Sequence, residues 1–237
     1  MNAATTNLRP AGNRPSFKVP ESLSQMAERY LECEIIEGRL PSGTRLNPEE
    51  IAKQLNISKS PVREAMILLQ RDGLVTGKPR SVFIVSEINL ADIKEIYPIR
   101  ACLNGLAVKS ILQSDSAPAV VDKLAKYLQK MKPKAEAGDA LEYFHLSIEF
   151  YNFLIESCPN RRLQTMWHQL SKQILRFRFL VMSQPGHIER SFKDHELLVA
   201  TMRARNVEAA MRCAEDIIYG SLEVLIGVLG VEQDSLA

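Results

Sequence analysis

Neither sign of charge dominates this sequence: 30 Lys and Arg stand against 28 Asp and Glu, a formal net charge of +2. That excludes a protein that coats a polyanion with its whole surface, so any nucleic-acid contact has to be a local patch. The four cysteines, Cys33, Cys102, Cys158 and Cys213, are far apart and form no CxxC pair. A secretory disulfide framework is excluded, and their apolar, helix-compatible surroundings predict reduced, buried thiols. Long apolar runs are missing too. The longest candidate, GSLEVLIGVLGV, is short and carries Glu223, which argues against a bilayer span. No charged-then-apolar leader with a cleavage site is visible, and the cytoplasm is the expected location. There is no HExxH, no nucleophile elbow, no phosphate-cradling glycine loop and no carboxylate pair with an evident task, so little points to an enzyme.

What is present is 46% hydrophobic residues over 237 positions, enough for one large core or two small ones, and two domains are the expectation. Residues 1–18, MNAATTNLRPAGNRPSFK, carry no apolar period and predict a disordered arm. From Ser22 the spacing of Leu23, Met26, Ala27, Tyr30, Leu31 and Ile35 predicts a helix with one inward face, ended by Gly38 and Pro41. LNPEEIAKQL predicts a short second helix, capped at Asn47 ahead of Pro48, that buries Ile51, Ala52 and Leu55. A turn at Asn56 and Ile57 then leads into NISKSPVREAM. There Pro61 is tolerated in a first helical turn, Ser58 or Ser60 can cap free amides, and Val62, Ala65, Met66 and Leu69 turn inward. Lys59 and Arg63 are left at the positive end of that helix, a place that favours an anion.

Two short helices joined by a tight turn compose a helix-turn-helix unit. After RDG, the segment LVTGKPRSVFIVSEI reads as a hairpin whose turn carries Lys78 and Arg80. Helices plus ribbon make a winged helix-turn-helix over residues 19–87, three helices and a β-hairpin wing, with Glu49 and Glu50 set apart on the second helix. In such a unit the second helix of the pair enters the major groove, and its N-terminal side chains reach base edges and phosphates. Past Ile88 only helical periods remain. Six helices are predicted over 90–112, 117–131, 139–157, 161–182, 188–203 and 207–229, with Asn89, Ser116, Asp139, Asn160 and Asn206 as caps. The expected fold is mostly α, with an antiparallel bundle of six to seven helices over 88–231 and a tail at 232–237.

The run LPSGTRLNPEEIAKQLNISKSPVREAMILLQRDGLV followed by GKPRSVFIV resembles the winged-helix domain of the GntR family of bacterial transcription regulators, from about residue 22 to 86. The likeness rests on Gly43, Leu46, Ile51, Ala52, Leu55, Ser58, Pro61, Val62, Arg63, Glu64, Ala65, Leu69, Gly73 and Leu74. The stretches EYFHLSIEFYNFLIESCPN and SFKDHELLVATMRARNVEAAM resemble the ligand-sensing and dimerisation domain of the FadR-type (FCD) branch. The resemblance implies that Ser58, Lys59, Ser60 and Arg63 contact an operator and that the wing touches the minor groove. Two departures stand out. The family usually has Arg at position 59, and lysine offers a point charge instead of a planar fork, which weakens bidentate reading of guanine. A glycine usual at the wing tip is Ser81.

Many members of this branch hold a divalent metal through an Asp one turn before a His, that His, and two more. By the resemblance the Asp position is Leu141 and the last His position is Ile217, so His145 and His195 remain. Two imidazoles need completion by Glu149, Asp216 or a bound acid to hold a first-row metal. The expectation is therefore no cofactor, and a pocket that grips its effector directly. An organic acid there needs a cation. Arg100, Arg176 and Arg178 are candidates, the alternative for each being a surface or interhelix ion pair. Tyr97, His145 and His195 are further candidate contacts, and Tyr143, Phe144, Tyr151, Trp167 and Phe177 either line the cavity or form plain core. Pro98 is expected to bend its helix beside Arg100. The functional expectation is a ligand-responsive transcription regulator, a repressor of a metabolic operon, that binds a two-fold double-stranded operator as a homodimer and answers to a small organic acid, with no membrane partner. The alternatives are a metal-dependent all-helical enzyme using His145 and His195, or a DNA binder that senses no ligand.

Overall fold

The computed structural model describes residues 20–77, 82–87 and 90–234, without the side chains of Arg176 and 231–234. The arm at 1–18, the wing tip with Lys78, Arg80 and Ser81, the cap candidate Asn89 and the last residues of the tail lie outside the described residues.

Helix α1 (Leu23–Ile36) starts at a capping box. The Gln25 amide donates to Ser22 Oγ at 3.2 Å and the Ser22 amide donates to Gln25 Oε1 at 2.9 Å, satisfying two otherwise free donors. Its inward stripe is Ala27, Leu31 and Ile35, extended by Ile36. Leu23 and Met26, expected on that stripe, are 52% and 51% exposed. Met26 lies about 100° off the line through Ala27, and Leu23 sits a turn ahead of the first buried position. Strand β1 (Arg45–Leu46) precedes α2 (Pro48–Leu55), where Asn47 Oδ1 accepts from the Glu49 amide at 2.9 Å. Asn56 closes α2 in the left-handed region at φ 54°. Helix α3 (Lys59–Arg71) then buries the expected Val62, Ala65, Met66 and Leu69.

Strands β2 (Val75–Thr76) and β3 (Phe83–Val85) form the wing, and β1 adds a third strand to give the antiparallel order β1-β3-β2. Arg45 pairs with Ile84 and Val75 with Val85. The sequence reading contained only a two-stranded ribbon, because a two-residue strand is too short to carry a period. Leu31, Leu46, Met66, Leu69, Phe83 and Val85 share one core.

Six further helices follow among the described residues: α4 (Leu90–Leu112), α5 (Ala117–Glu136), α6 (Ala140–Glu156), α7 (Arg161–Met182), α8 (His187–Arg203) and α9 (Val207–Asp234). Helix α5 overruns its expected end at residue 131 and passes through Pro133. The proline removes one donor, while Met131 and Ala135 keep their places in the bundle core. Gly138, at φ 67°, provides the stop. Helix α9 likewise runs to Asp234, into the expected tail. Helix α4 is unbroken across Pro98. The cysteines are a further correction, since Cys158 and Cys213 are buried but Cys33 and Cys102 are exposed; Cys102 shares an outward face of α4 with the exposed Ile99 and Leu106. No helix among the described residues is long and apolar enough to cross a membrane.

The base of the wing depends on Gly77. Its φ is 154°, a Cβ there would lie 2.8 Å from the Val82 carbonyl oxygen, and its own carbonyl accepts from Gln70 Nε2 of α3 at 2.6 Å. Gly77→Ala should force β2 and β3 apart and lower stability by about 1–3 kcal/mol. Urea unfolding of the variant checks this, and a midpoint equal to that of the parent would refute it.

Candidate DNA interface and effector cavity

The turn between α2 and α3 leaves the amino end of α3 uncovered. Ser58 occupies the cap position with φ −76° and ψ 164°, yet its hydroxyl makes no cap bond, and neither of the two serines read from the sequence as caps is seen in that role. Ser60 Oγ instead reaches Glu64 Oε1 at 3.4 Å. The first-turn amides of α3 therefore have no side-chain cap, which is the arrangement an oxygen-rich anion can use. Ser58, Lys59, Ser60 and Arg63 are all exposed. Lys59 Nζ pairs with Glu49 of α2, so Glu49 does not stand apart from the basic patch. The Lys59 contact holds the Glu49 carboxyl below the ordinary carboxylate range. Arg63 has no ion-pair partner among the described residues.

A second concentration of polar groups lies inside the helical domain. Arg100 on α4, Tyr151 on α6, Arg178 on α7, and Ser191 and His195 on α8 enclose a cavity of about 20 Å³, closed by Ile217 of α9. The two guanidinium groups flank the Tyr151 ring, Arg100 at 5.7 Å and Arg178 at 5.2 Å from its centroid, and Arg100 also lies 5.8 Å from the Tyr97 ring. Both arginines are buried, at 3% and 5% exposure. Neither has a carboxylate partner among the described residues. Arg178 Nη2 donates to Ser147 Oγ at 3.0 Å. Burial, and then the like charge of Arg100, pull Arg178 down to about 9, and burial lowers Arg100 as well. Both remain cations at neutral pH.

His195 is held through Nδ1, which lies 2.5 Å from the Ser191 carbonyl oxygen. A carbonyl needs a donor, so Nδ1 carries the proton and Nε2 presents a lone pair. Burial pushes His195 down to about 4, with the nearby Arg178 and Arg100 acting in the same direction. Its Nε2, Arg100 Nε, and the hydroxyls of Tyr97 and Tyr151 are buried without a hydrogen-bond partner among the described residues. Buried polar atoms are nearly always paired with protein, water or a ligand, and Arg100, Tyr151 and His195 bring three of these orphans to one small cavity.

The sequence candidates separate on this geometry. Arg100 and His195 meet at the cavity, with Arg178 and Tyr151, while Tyr97 does not line it and packs its ring against Arg100. His145 does not join them: its side chain is 47% exposed and Nε2 is 3.6 Å from Oε1 of Glu37, the residue that caps the carboxyl end of α1. Leu141 is exposed as well. The α6 side chains that reach the cluster are Ser147 and Tyr151, six positions beyond Leu141 and His145 in both cases. The frame taken from the resemblance is thus displaced along α6. Glu149 and Asp216 face outward, and the side chain of Arg176 lies outside the described residues. Phe144 and Phe177 are core, and the Trp167 indole donates to Asn104 Oδ1 at 2.8 Å. Ser147 and Ser191 were missed, although a serine four positions from Tyr143 and four from Tyr151 shares their inward face.

A winged helix-turn-helix with an open basic helix end, followed by a helical domain enclosing a basic cavity, defines a DNA-binding regulator with a sensory domain. The family model "Bacterial regulatory proteins, gntR family" matches residues 23–85 and the FCD domain model matches residues 95–219. The chain belongs to the GntR family of transcription regulators, in the group that carries an FCD domain. It is 29% identical to the HTH-type transcriptional regulator YdhC of Bacillus subtilis over 82% of this chain and 88% of that protein. It is 26% identical to the gluconate operon transcriptional repressor of the same species over 74% of each chain. The solved structure of Escherichia coli McbR/YncC superposes with a TM-score of 0.77 at 24% identity, covering 88% of this chain and 99% of that one. A GntR-type regulator from Rhodococcus gives 0.71 at 19% identity, covering 86% and 97%.

The burial of a neutral His195 has a consequence for acid stability. An ordinary histidine titrates near 6.5, whereas His195 resists protonation until about 4. Between those values the unfolded chain binds the extra proton, so stability falls as pH drops through the window, by up to about 3 kcal/mol from this group. His195→Gln should show a flatter fall from pH 7 to 4 in urea unfolding, and parallel curves would refute the assignment.

Proposed function

We propose that this chain is a ligand-responsive repressor of a metabolic operon that binds a two-fold operator as a homodimer in the cytoplasm, and that its effector is a small organic acid held by Arg100 and Arg178. The observation that carries the effector reading is the pair of buried guanidinium groups with no carboxylate partner among the described residues. Two desolvated cations are costly unless a counter-charge joins them, and a carboxylate accepts from a guanidinium fork in two parallel bonds. His195 Nε2 presents a lone pair, which suits a hydroxyl on the same molecule, and the Tyr151 hydroxyl supplies a second polar contact. A hydroxy acid fits both requirements. The name of one relative, the gluconate operon repressor, is in keeping with this class of ligand.

A divalent metal does not fit this donor set. His145 stands apart from His195, α6 contributes Ser147 and Tyr151, and two cations already occupy the centre. No group of three or more His, Cys, Asp or Glu suited to a metal occurs among the described residues. We therefore read the cavity as metal-free, with the arginines in direct contact with the acid.

At the DNA end, the amino terminus of α3 enters the major groove. Its uncapped amides and Lys59 meet phosphates, Ser58 and Ser60 add hydroxyl contacts, and Arg63 reaches a base edge. Lys78 and Arg80 of the wing complete the surface.

Arg63→Ala should weaken a duplex selected from a random pool by about 1–3 kcal/mol in gel shifts and leave unselected DNA nearly unaffected. Equal loss on both would make Arg63 a phosphate contact, and no loss would remove it from the interface. For the cavity, millimolar hydroxy acids should raise the melting temperature of the parent and not of Arg100→Met or Arg178→Met. Identical shifts in parent and variants, or a stoichiometric metal that survives dialysis, would overturn the effector reading.

A further inference from the structure

The two domains meet along α7. Lys172 Nζ on that helix donates to Asp72 Oδ2 at 2.6 Å and to Glu28 Oε1 at 3.3 Å. Asp72 is the C-cap residue of α3, the helix that offers its other end to DNA, and Glu28 lies on α1. Glu32 of α1 faces the same lysine, its carboxyl raised by burial and lowered in turn by Lys172. The carboxylates Glu28 and Asp72 are only 15% and 14% exposed, so water screens this contact far less than a surface pair. The cation also sits at the carboxyl end of α3, where the helix dipole favours positive charge. Beside it, Gly73 approaches Gln173 closely enough that a Cβ would lie 3.5 Å from Gln173 Cγ.

Arg178 lies six residues beyond Lys172 on α7, about 9 Å along the axis at 1.5 Å per residue. The cavity at Arg178 has a volume of about 20 Å³, room for one water-sized group. An organic acid can enter only if its lining moves, and Arg178 is part of that lining. We propose that Lys172 is the positioning residue through which the cavity acts on the DNA-binding domain: displacement of α7 at Arg178 loosens or shifts the Lys172 bridge to Asp72 and so reorients α3. This rests on the reading of the cavity and of α3 given above. Linkage makes the effect reciprocal, so DNA binding biases the cavity by the same factor.

The test is a double-mutant cycle on the full chain, read as affinity for one duplex selected by the parent from a random pool. Arg178→Met removes a cavity charge, as a bound carboxylate neutralises it, and Lys172→Met removes the bridge while keeping an aliphatic stem. Circular dichroism and melting establish that each variant is folded, and Asp72→Asn with Arg100→Met takes the same two corners if either is not. We expect Arg178→Met to change affinity at least fivefold in the parent background and less than twofold when Lys172 is Met. The same fold-change in both backgrounds, or none in either, overturns the proposal while leaving the DNA reading intact. A parent that selects no duplex would overturn the DNA reading itself, and this inference with it.

Discussion

Arg100 and Arg178 share the interior of the helical domain, 5.7 and 5.2 Å from the centroid of the Tyr151 ring. Removing one such ion from water costs several kcal/mol even after relaxation. A desolvated cation–π contact returns about 2 kcal/mol, and the Ser147 hydrogen bond to Arg178 adds about 1.5–3 kcal/mol for a charged donor. Arg100 also lies over the Tyr97 ring and Arg178 over the Phe144 ring, and these contacts work against the cost of two like charges held in one site. The large apolar core, running from Ile36 of α1 through α5 and α6 to Ile217 of α9, surrounds them. The remainder of the bundle thus acts as a frame that keeps two mutually repelling groups at fixed positions. The proposed acid, entering beside them, would relieve the repulsion and gain two charge-assisted contacts at once. His195 fits the same logic, since its neutral form avoids adding a third positive charge.

Much of the DNA-binding domain was legible in the sequence because its short helices obey local rules. In α3 the inward set Val62, Ala65, Met66 and Leu69 follows from helical spacing alone, and the Asn47 cap follows from the pattern of Asn, Pro and two glutamates. Strand β1 was not legible, because two residues between a turn and a cap carry no pattern and are defined only by the partner at Phe83 and Ile84. The exposure of Cys102 was not legible for a related reason. A long apolar-rich helix such as α4 admits more than one inward face, and the neighbours decide between them.

The cavity was legible in kind but not in frame. A cation and a histidine were expected from the sequence, and Arg100 and His195 do meet. The contribution of α6 was misplaced by six positions, because a His one residue after Phe144 attracts attention while Ser147 and Tyr151 look like ordinary helix content. The difference is decided by rotation. Ser147 and Tyr151 follow Tyr143 at intervals of four, and all three are buried, whereas His145 is turned to the junction with α1 near Glu37. Identity of residue type nominates a site, but the face of the helix selects its members.

The same distinction bears on how a nearly neutral protein holds DNA. With a net charge of +2 over the whole chain, affinity cannot come from diffuse attraction, and even at the amino end of α3 Lys59 is paired to Glu49 of α2. Such a pair in water is weak, so a phosphate can replace the carboxylate at Lys59 with little net gain in contacts. A domain that makes few uncompensated phosphate contacts binds nonspecific DNA only weakly. In the proposed dimer two domains bind one operator, and the second engages at an effective concentration set by how the helical domains space the pair. If individual attachment is weak, that spacing decides whether both half-sites are engaged at once. In the proposed dimer a ligand that changes the spacing would change operator affinity without touching a single DNA contact.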